Sequence, residues 1–253
     1  MDLADLALIC TAAFFGGALN AIAGGGSFLT LPALVFIGVP PVTANATGTV
    51  ALLPGYVASA WGFRDLLRPP PGGLSLKAVA VITGMGGAVG AALLLVTSNE
   101  AFSALVPWLL LVATLLFAFG PMLLARLGRG GAGGGQGAAV TGLAILAVSV
   151  YGGYFNGGLG IILLAMLRLL GEADINVANG LKNVLSALLT FIAVLLYAGG
   201  GVVEWVYALP MAVAAVAGGY AGARASRAVP AAWVRGVVVV TGAVMTALFF
   251  ARL

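Results

Sequence analysis

The sequence contains no histidine and one cysteine, Cys10. The first absence removes the commonest metal ligand and the one side chain that titrates near neutrality unaided. The second excludes an intramolecular disulfide and any cluster of cysteine ligands. Charge is scarce too: only 7% of the 253 residues are Asp, Glu, Lys or Arg, against about 25% in a soluble domain. No Walker-type glycine loop, nucleophile–base pair or paired carboxylate occurs, so nothing here supports an enzyme, a bound cofactor or a metal centre. The opening MDLADLALIC carries two acids and no base, and so lacks the positive start of a cleaved signal peptide.

What is present is apolar. Hydrophobic residues make up 62% of the chain and the mean hydropathy is +1.17. Eight apolar segments fall at roughly 3–37, 44–63, 78–96, 105–124, 138–167, 177–198, 202–222 and 232–251. These lengths suit membrane helices of about 20 residues, not the alternating strands of about ten that build an outer-membrane barrel. The fold expected is therefore all-α and polytopic in a lipid bilayer. A net charge of +4 reflects basic loops more than nucleic-acid binding. Trp61, Trp108, Trp205 and Trp233 lie near segment ends and read as an interfacial belt.

The first and fifth segments are too long for one ordinary span, and the same motif interrupts both. Residues 16–27 read GGALNAIAGGGS and residues 152–160 read GGYFNGGLG. Glycine weakens a helix, and asparagine in lipid needs a partner. Each motif is thus a break in a membrane helix or a seam where helices pack closely. The motif also belongs to a duplication. Gly16-Gly17-x-x-Asn20 returns as Gly152-Gly153-x-x-Asn156, 136 residues on. Ala44-Asn45 returns as Ala178-Asn179, 134 on, and Gly86-Gly87-x-x-Gly90 as Gly218-Gly219-x-x-Gly222, 132 on. The preserved order predicts two transmembrane repeats, 1–125 and 138–253, joined by a glycine-rich linker at 126–137.

Loop charge selects the topology. If all eight segments cross once, basic residues divide six against four between the faces. If segments one and five enter, break and return, then Arg64, Arg68, Lys77, Arg126, Arg129, Arg168, Arg224, Arg227 and Arg235 share one face and only Arg252 lies opposite. The second arrangement obeys the positive-inside rule. It gives each repeat a broken hairpin of two half-helices plus three transmembrane helices, five plus five in all. The second repeat is inverted, and both termini lie outside the cell membrane. Residues 3–22 are also long enough to span alone at about 1.5 Å per residue.

Candidate ligand-binding residues follow from the breaks. Helix N-termini attract anions through unpaired N–H groups and the helix dipole. Gly24, Gly25, Gly26 and Ser27 have that composition, with Ser27 as cap or ligand, and Gly157 and Gly158 are their counterparts. Asn20 and Asn156 recur at matched places, which packing alone explains poorly. In the span after each hairpin, Asn45 with Thr49 matches Asn179 with Asn183; helix capping is the plainer role for the two leading asparagines. Lys182 is the only base well inside an apolar segment. Snorkelling to the interface competes with a functional role. With no carboxylate in a span to pair it, the ligand implied is a small anion. Glu100 and Glu204 read as solvated loop acids, and Asp65 as one of an interfacial group with Arg64 and Arg68.

The run NAIAGGGSFLTLPALVFIGVPPVTANATGTVA, with its second copy GGYFNGGLGIILLAMLRLLG and INVANGLKNVLS, resembles the sulfite exporter TauE/SafE family of bacterial membrane transporters. The resemblance rests on Gly24-Gly25-Gly26, Leu31-Pro32, Gly38, Ala44-Asn45-Ala46-Thr47 and the turn Gly201–Glu204, and covers nearly the whole chain. Arg168 stands where that family often has proline. The resemblance implies transport, most plausibly export, of sulfite, sulfoacetate or another organosulfonate across a bacterial inner membrane. Such oxyanions want several N–H donors and one positive charge. Binding is expected between the two hairpin tips, with alternating access. A passive channel for the same anions and a non-transporting scaffold are the alternatives. The partners expected are the anion and the bilayer, with a second copy of the chain as a candidate and no nucleic acid.

Overall fold

The computed structural model describes residues 2–22, 24–127, 137–225 and 231–251. Most of the linker expected at 126–137 lies outside these residues, as do Arg129, Arg227 and Arg252. Ten α-helices and no strand occur among the described residues: α1 (Leu3–Ile22), α2 (Ser27–Phe36), α3 (Pro41–Gly62), α4 (Leu76–Val96), α5 (Asn99–Leu127), α6 (Ala138–Tyr154), α7 (Leu159–Leu169), α8 (Ile175–Gly199), α9 (Trp205–Ala225) and α10 (Ala231–Phe250). Five of the described helices are long and apolar enough to cross a membrane. Both overlong segments break at their motifs, after Ile22 and after Tyr154.

The two arms of each hairpin are unequal. α1 has 20 residues and α2 has 10, so about 30 Å and 15 Å. α6 has 17 and α7 has 11. α2 folds back along α1: a β-carbon on Gly16 would lie 3.0 Å from the Gly26 carbonyl oxygen and 3.3 Å from the Thr30 methyl. Further along, Leu8 and Ala12 share an apolar cavity with Leu29 to Phe36. The start of α1 and the end of α2 therefore lie together. α2 also runs antiparallel to the first half of α3. Gly48 faces Thr30 and Leu34, and Gly26 faces Leu52, which lies midway along α3. The break thus sits about half-way down a full-length helix.

The halves interlock instead of standing apart. α1 packs on α9 and α6 on α4; α3 packs on α9 and α8 on α4; α2 meets α10 and α7 meets α5. Each pair is the other with the halves exchanged, while α3–α8 and α5–α10 pair matched helices. Glycine permits the closest of these contacts. On the α1–α9 seam, a β-carbon on Gly218 would strike the Phe14 carbonyl, and one on Gly222 would lie 2.6 Å from the Ala18 α-carbon. On the α4–α6 seam, Gly90 and Gly153 are equally tight against Val150 and Gly87. Small residues here do what small residues do in membrane helix interfaces. Gly16 and Gly17 are such seam residues, whereas Gly24 to Gly26 make the turn.

At the surface, Trp61, Trp108 and Trp205 are exposed, as an interfacial belt requires. Arg64 stacks on the Trp61 ring at 4.8 Å and pairs with Asp65 at 3.7 Å.

Candidate functional site

The two hairpin tips meet. Gly24, in the left-handed region at φ +82°, lies against Gly160: a β-carbon on Gly24 would be 2.8 Å from the Gly160 α-carbon. A β-carbon on Gly160 would in turn lie 3.7 Å from the aliphatic stem of Lys182. Lys182 is 9% exposed and makes no ion pair or hydrogen bond among the described residues. A desolvated ammonium without a counter-charge is costly in a membrane interior. It stands where two helix N-termini converge.

The donors around it are only partly used. The Gly24 N–H bonds to the Leu19 and Asn20 carbonyls at 3.1 Å. The N–H groups of Gly25, Gly26 and Ser27 have no backbone partner among the described residues, and neither do those of Gly157 and Gly158. Neither α2 nor α7 has a side-chain cap: Gly26 and Gly158 hold the N-cap positions. Ser27 is therefore not the cap, and its buried hydroxyl is unpartnered.

Tyr56 of α3 connects the two asparagines. Its hydroxyl donates to Asn156 Oδ1 at 3.2 Å and lies close to the Asn20 side chain. Asn156 itself has φ +62°, a left-handed conformation that asparagine tolerates better than most residues. Its Nδ2 is buried and has no partner among the described residues, and neither does Asn20 Oδ1. Asn20 and Asn183 both line a cleft of about 380 Å³ between α1, α3, α8 and α9. Ser59 and Phe63, near the end of α3, line it too. The cleft thus leads from the Arg64 end of α3 towards the tips.

Asn45, Thr49 and Asn179 make no hydrogen bond with this cluster among the described residues. Asn45 and Asn179 are not caps, because α3 starts at Pro41 and α8 is capped by Asp174. Asn45 donates its side-chain amide to the Tyr154 carbonyl at 3.0 Å, tying α3 to the end of α6. Thr49 is turned back on its own helix and donates to the Asn45 carbonyl at 2.8 Å. Asn179 is half-buried, with no hydrogen bond among the described residues. Tyr56 was not singled out from sequence. Its signal was the helical spacing Asn45, Thr49, Leu52, Tyr56, which puts it on one stripe with the polar residues of α3.

A family model described as Sulfite exporter TauE/SafE matches residues 9–249. A probable membrane transporter protein from Haemophilus influenzae is 29% identical over 247 residues, covering 96% of this chain and 93% of that protein. Probable membrane transporter protein ORF9 from a Sinorhizobium species is 32% identical over 119 residues, covering 46% of this chain and 44% of that protein. No solved structure matches the chain.

Proposed function

This chain belongs to the sulfite exporter TauE/SafE family of membrane transporters, and from that premise we propose that it carries a small oxyanion, such as sulfite, sulfoacetate or another organosulfonate, across a bacterial inner membrane. The observation that carries the reading is Lys182: a buried cation beside the contact of two helix N-termini, with no ion pair for it and no backbone partner for the neighbouring N–H groups among the described residues. The anion sits beside the tips and not between them, since Gly24 and Gly160 already touch. Asn20, Asn183, the Asn156 amide and the Gly25–Ser27 and Gly157–Gly158 N–H groups supply neutral donors around it.

The repeats 1–125 and 138–253 are inverted on this reading, and the exchanged pairing of helices supports it. Transport is by alternating access of one repeat against the other, in the direction of export. A cleft reaching the site from one face supports that over an open channel. The face bearing Arg64, Arg68 and Lys77 is cytoplasmic by charge, and both termini are outside.

A thermal-shift screen of the purified protein tests the substrate class, with sulfite, thiosulfate, alkylsulfonates and carboxylates as probes. Stabilisation by sulfur oxyanions that disappears in Lys182→Met is the expected result. Stabilisation by neutral solutes or cations alone overturns it.

A further inference from the structure

One face of α8 carries polar residues far beyond Lys182. Lys182, Ser186 and Thr190 follow at four-residue intervals, with Asn183 beside the first and Tyr197 two turns past the last. Ser186 is 1% exposed and Thr190 fully buried, and neither hydroxyl has a partner among the described residues. Helical hydroxyls ordinarily bond to the carbonyl one turn back. Thr49, Thr97 and Thr246 do so in this molecule, whereas Ser186 and Thr190, like Thr30, Thr83, Thr114 and Ser149, do not. Ser186 and Thr190 are therefore idle donors in a row that starts at the ammonium.

The two ends of the row differ. At one end Asn183 lines the cleft. At the other the Tyr197 hydroxyl donates to the Gly153 carbonyl, and both residues are buried. The duplication supplies the comparison. Gly153 corresponds to Gly17 at an offset of 136, and Tyr197 to Phe63 at an offset of 134. Gly17 and Phe63 both line the cleft. The same pair of positions is thus latched by a hydroxyl in the second half, whereas in the first it carries no hydroxyl and lines the cleft. Around the latch, Tyr151 donates to the Gly157 carbonyl at 2.6 Å, and the Tyr154 ring packs edgewise on Phe102.

We propose that the anion's path follows this face of α8, past Ser186 and Thr190, and that Tyr197 on the Gly153 carbonyl is the gate closing it at the face bearing Glu204. The molecule described here is then the state open to the Arg64 face. The proposal rests on the transporter reading above and adds the path and the gating residue to it. Ser186 and Thr190 hold the passing oxyanion by hydroxyl donation, and Tyr197 touches it only when the gate opens.

The test uses the full chain with Cys10→Ala in oriented proteoliposomes. Single cysteines at Ser59 and Thr190 are probed with a membrane-impermeant methanethiosulfonate reagent from each face. Ser59→Cys should react from the Arg64 face, and Thr190→Cys should be protected from the Glu204 face. Adding Tyr197→Phe should raise Thr190→Cys labelling from the Glu204 face roughly fivefold, the worth of one neutral hydrogen bond. The reciprocal variant Phe63→Tyr should slow Ser59→Cys labelling from the Arg64 face. Unchanged Thr190→Cys labelling in a folded Tyr197→Phe protein overturns the gate. So does ready labelling from the Glu204 face with Tyr197 in place. Should Tyr197→Phe not fold, Phe63→Tyr decides alone, and unchanged Ser59→Cys labelling overturns the gate. Thermal stabilisation by sulfite, measured on the same parent, separates the two readings: if it persists while labelling does not move, only the gate falls.

Discussion

Gly24 and Gly160 come from opposite halves of the chain and touch backbone to backbone, with 2.8 Å between a β-carbon built on the first and the α-carbon of the second. Nothing larger than glycine fits Gly24, and its φ of +82° disfavours any side chain as well. Gly38 separates the two effects, because its φ is +91° but nothing lies within 4 Å of its β-position. Gly38→Ala should cost about 1–2 kcal/mol, the strain of a left-handed residue with a side chain. Gly24→Ala should cost that plus about 1–3 kcal/mol of overpacking, and its folded yield should collapse. Thermal unfolding in detergent compares them; equal losses would mean the tips are not in contact.

The sequence made the breaks legible because glycine and asparagine are expensive in a lipid-facing helix, so their clustering at matched places had few explanations. It also made ten helices legible, through segment length and loop charge. It could not apportion the glycines. Gly16 and Gly17 pack against α2 and α9, while Gly24 turns the chain, and only three-dimensional neighbours distinguish those uses. Nor could it say which asparagine faces which. Asn20 and Asn156 converge on Tyr56, whereas Asn45 is occupied by the Tyr154 carbonyl. Matched sequence motifs need not share contacts, since Asn179, the counterpart of Asn45, has no such bond among the described residues.

Lys182 should be dispensable for folding and indispensable for the anion. Lys182→Met removes an unpaired buried charge while keeping most of the volume. The ligand-free protein should melt at the same temperature or higher, as buried charges replaced by apolar groups often allow. A charge-assisted hydrogen bond is worth about 1.5–3 kcal/mol, so the apparent affinity for sulfite should fall roughly ten- to hundredfold. Isothermal titration on the two proteins provides the comparison. A variant that melts lower and binds normally would assign the lysine to packing.

Asn156 has two separable jobs. Its φ of +62° suits glycine better than alanine, and its Oδ1 accepts from Tyr56. Asn156→Gly keeps the backbone freedom and loses the hydrogen bond. Asn156→Ala loses both, and should be less stable than Asn156→Gly by about 1 kcal/mol. If the unpartnered Nδ2 serves the ligand, both variants lose sulfite-induced stabilisation to the same extent. If Asn156→Gly retains it in full while Asn156→Ala does not, the side chain matters only for the turn. Melting curves with and without sulfite give both readings.

The hairpins can be tested without any ligand. α2 is only about 15 Å long, and its end, at Phe36, shares a cavity with Leu8 near the start of α1. A chain that turned at Gly24 and ran back along α1 must emerge on the face where it began. Asp2 and Gly38 are both exposed, so cysteines there should label from the same side of oriented vesicles. A cysteine at Ser75, beyond the full crossing of α3, should label from the other side. The second hairpin predicts the same of Gly137 and Ala173, which flank α6 and α7 and are both exposed; both should label with Ser75. Were Asp2 and Gly38 to label from opposite faces, α1 and α2 together would count as one crossing. The proposed inversion of the second half would then fall.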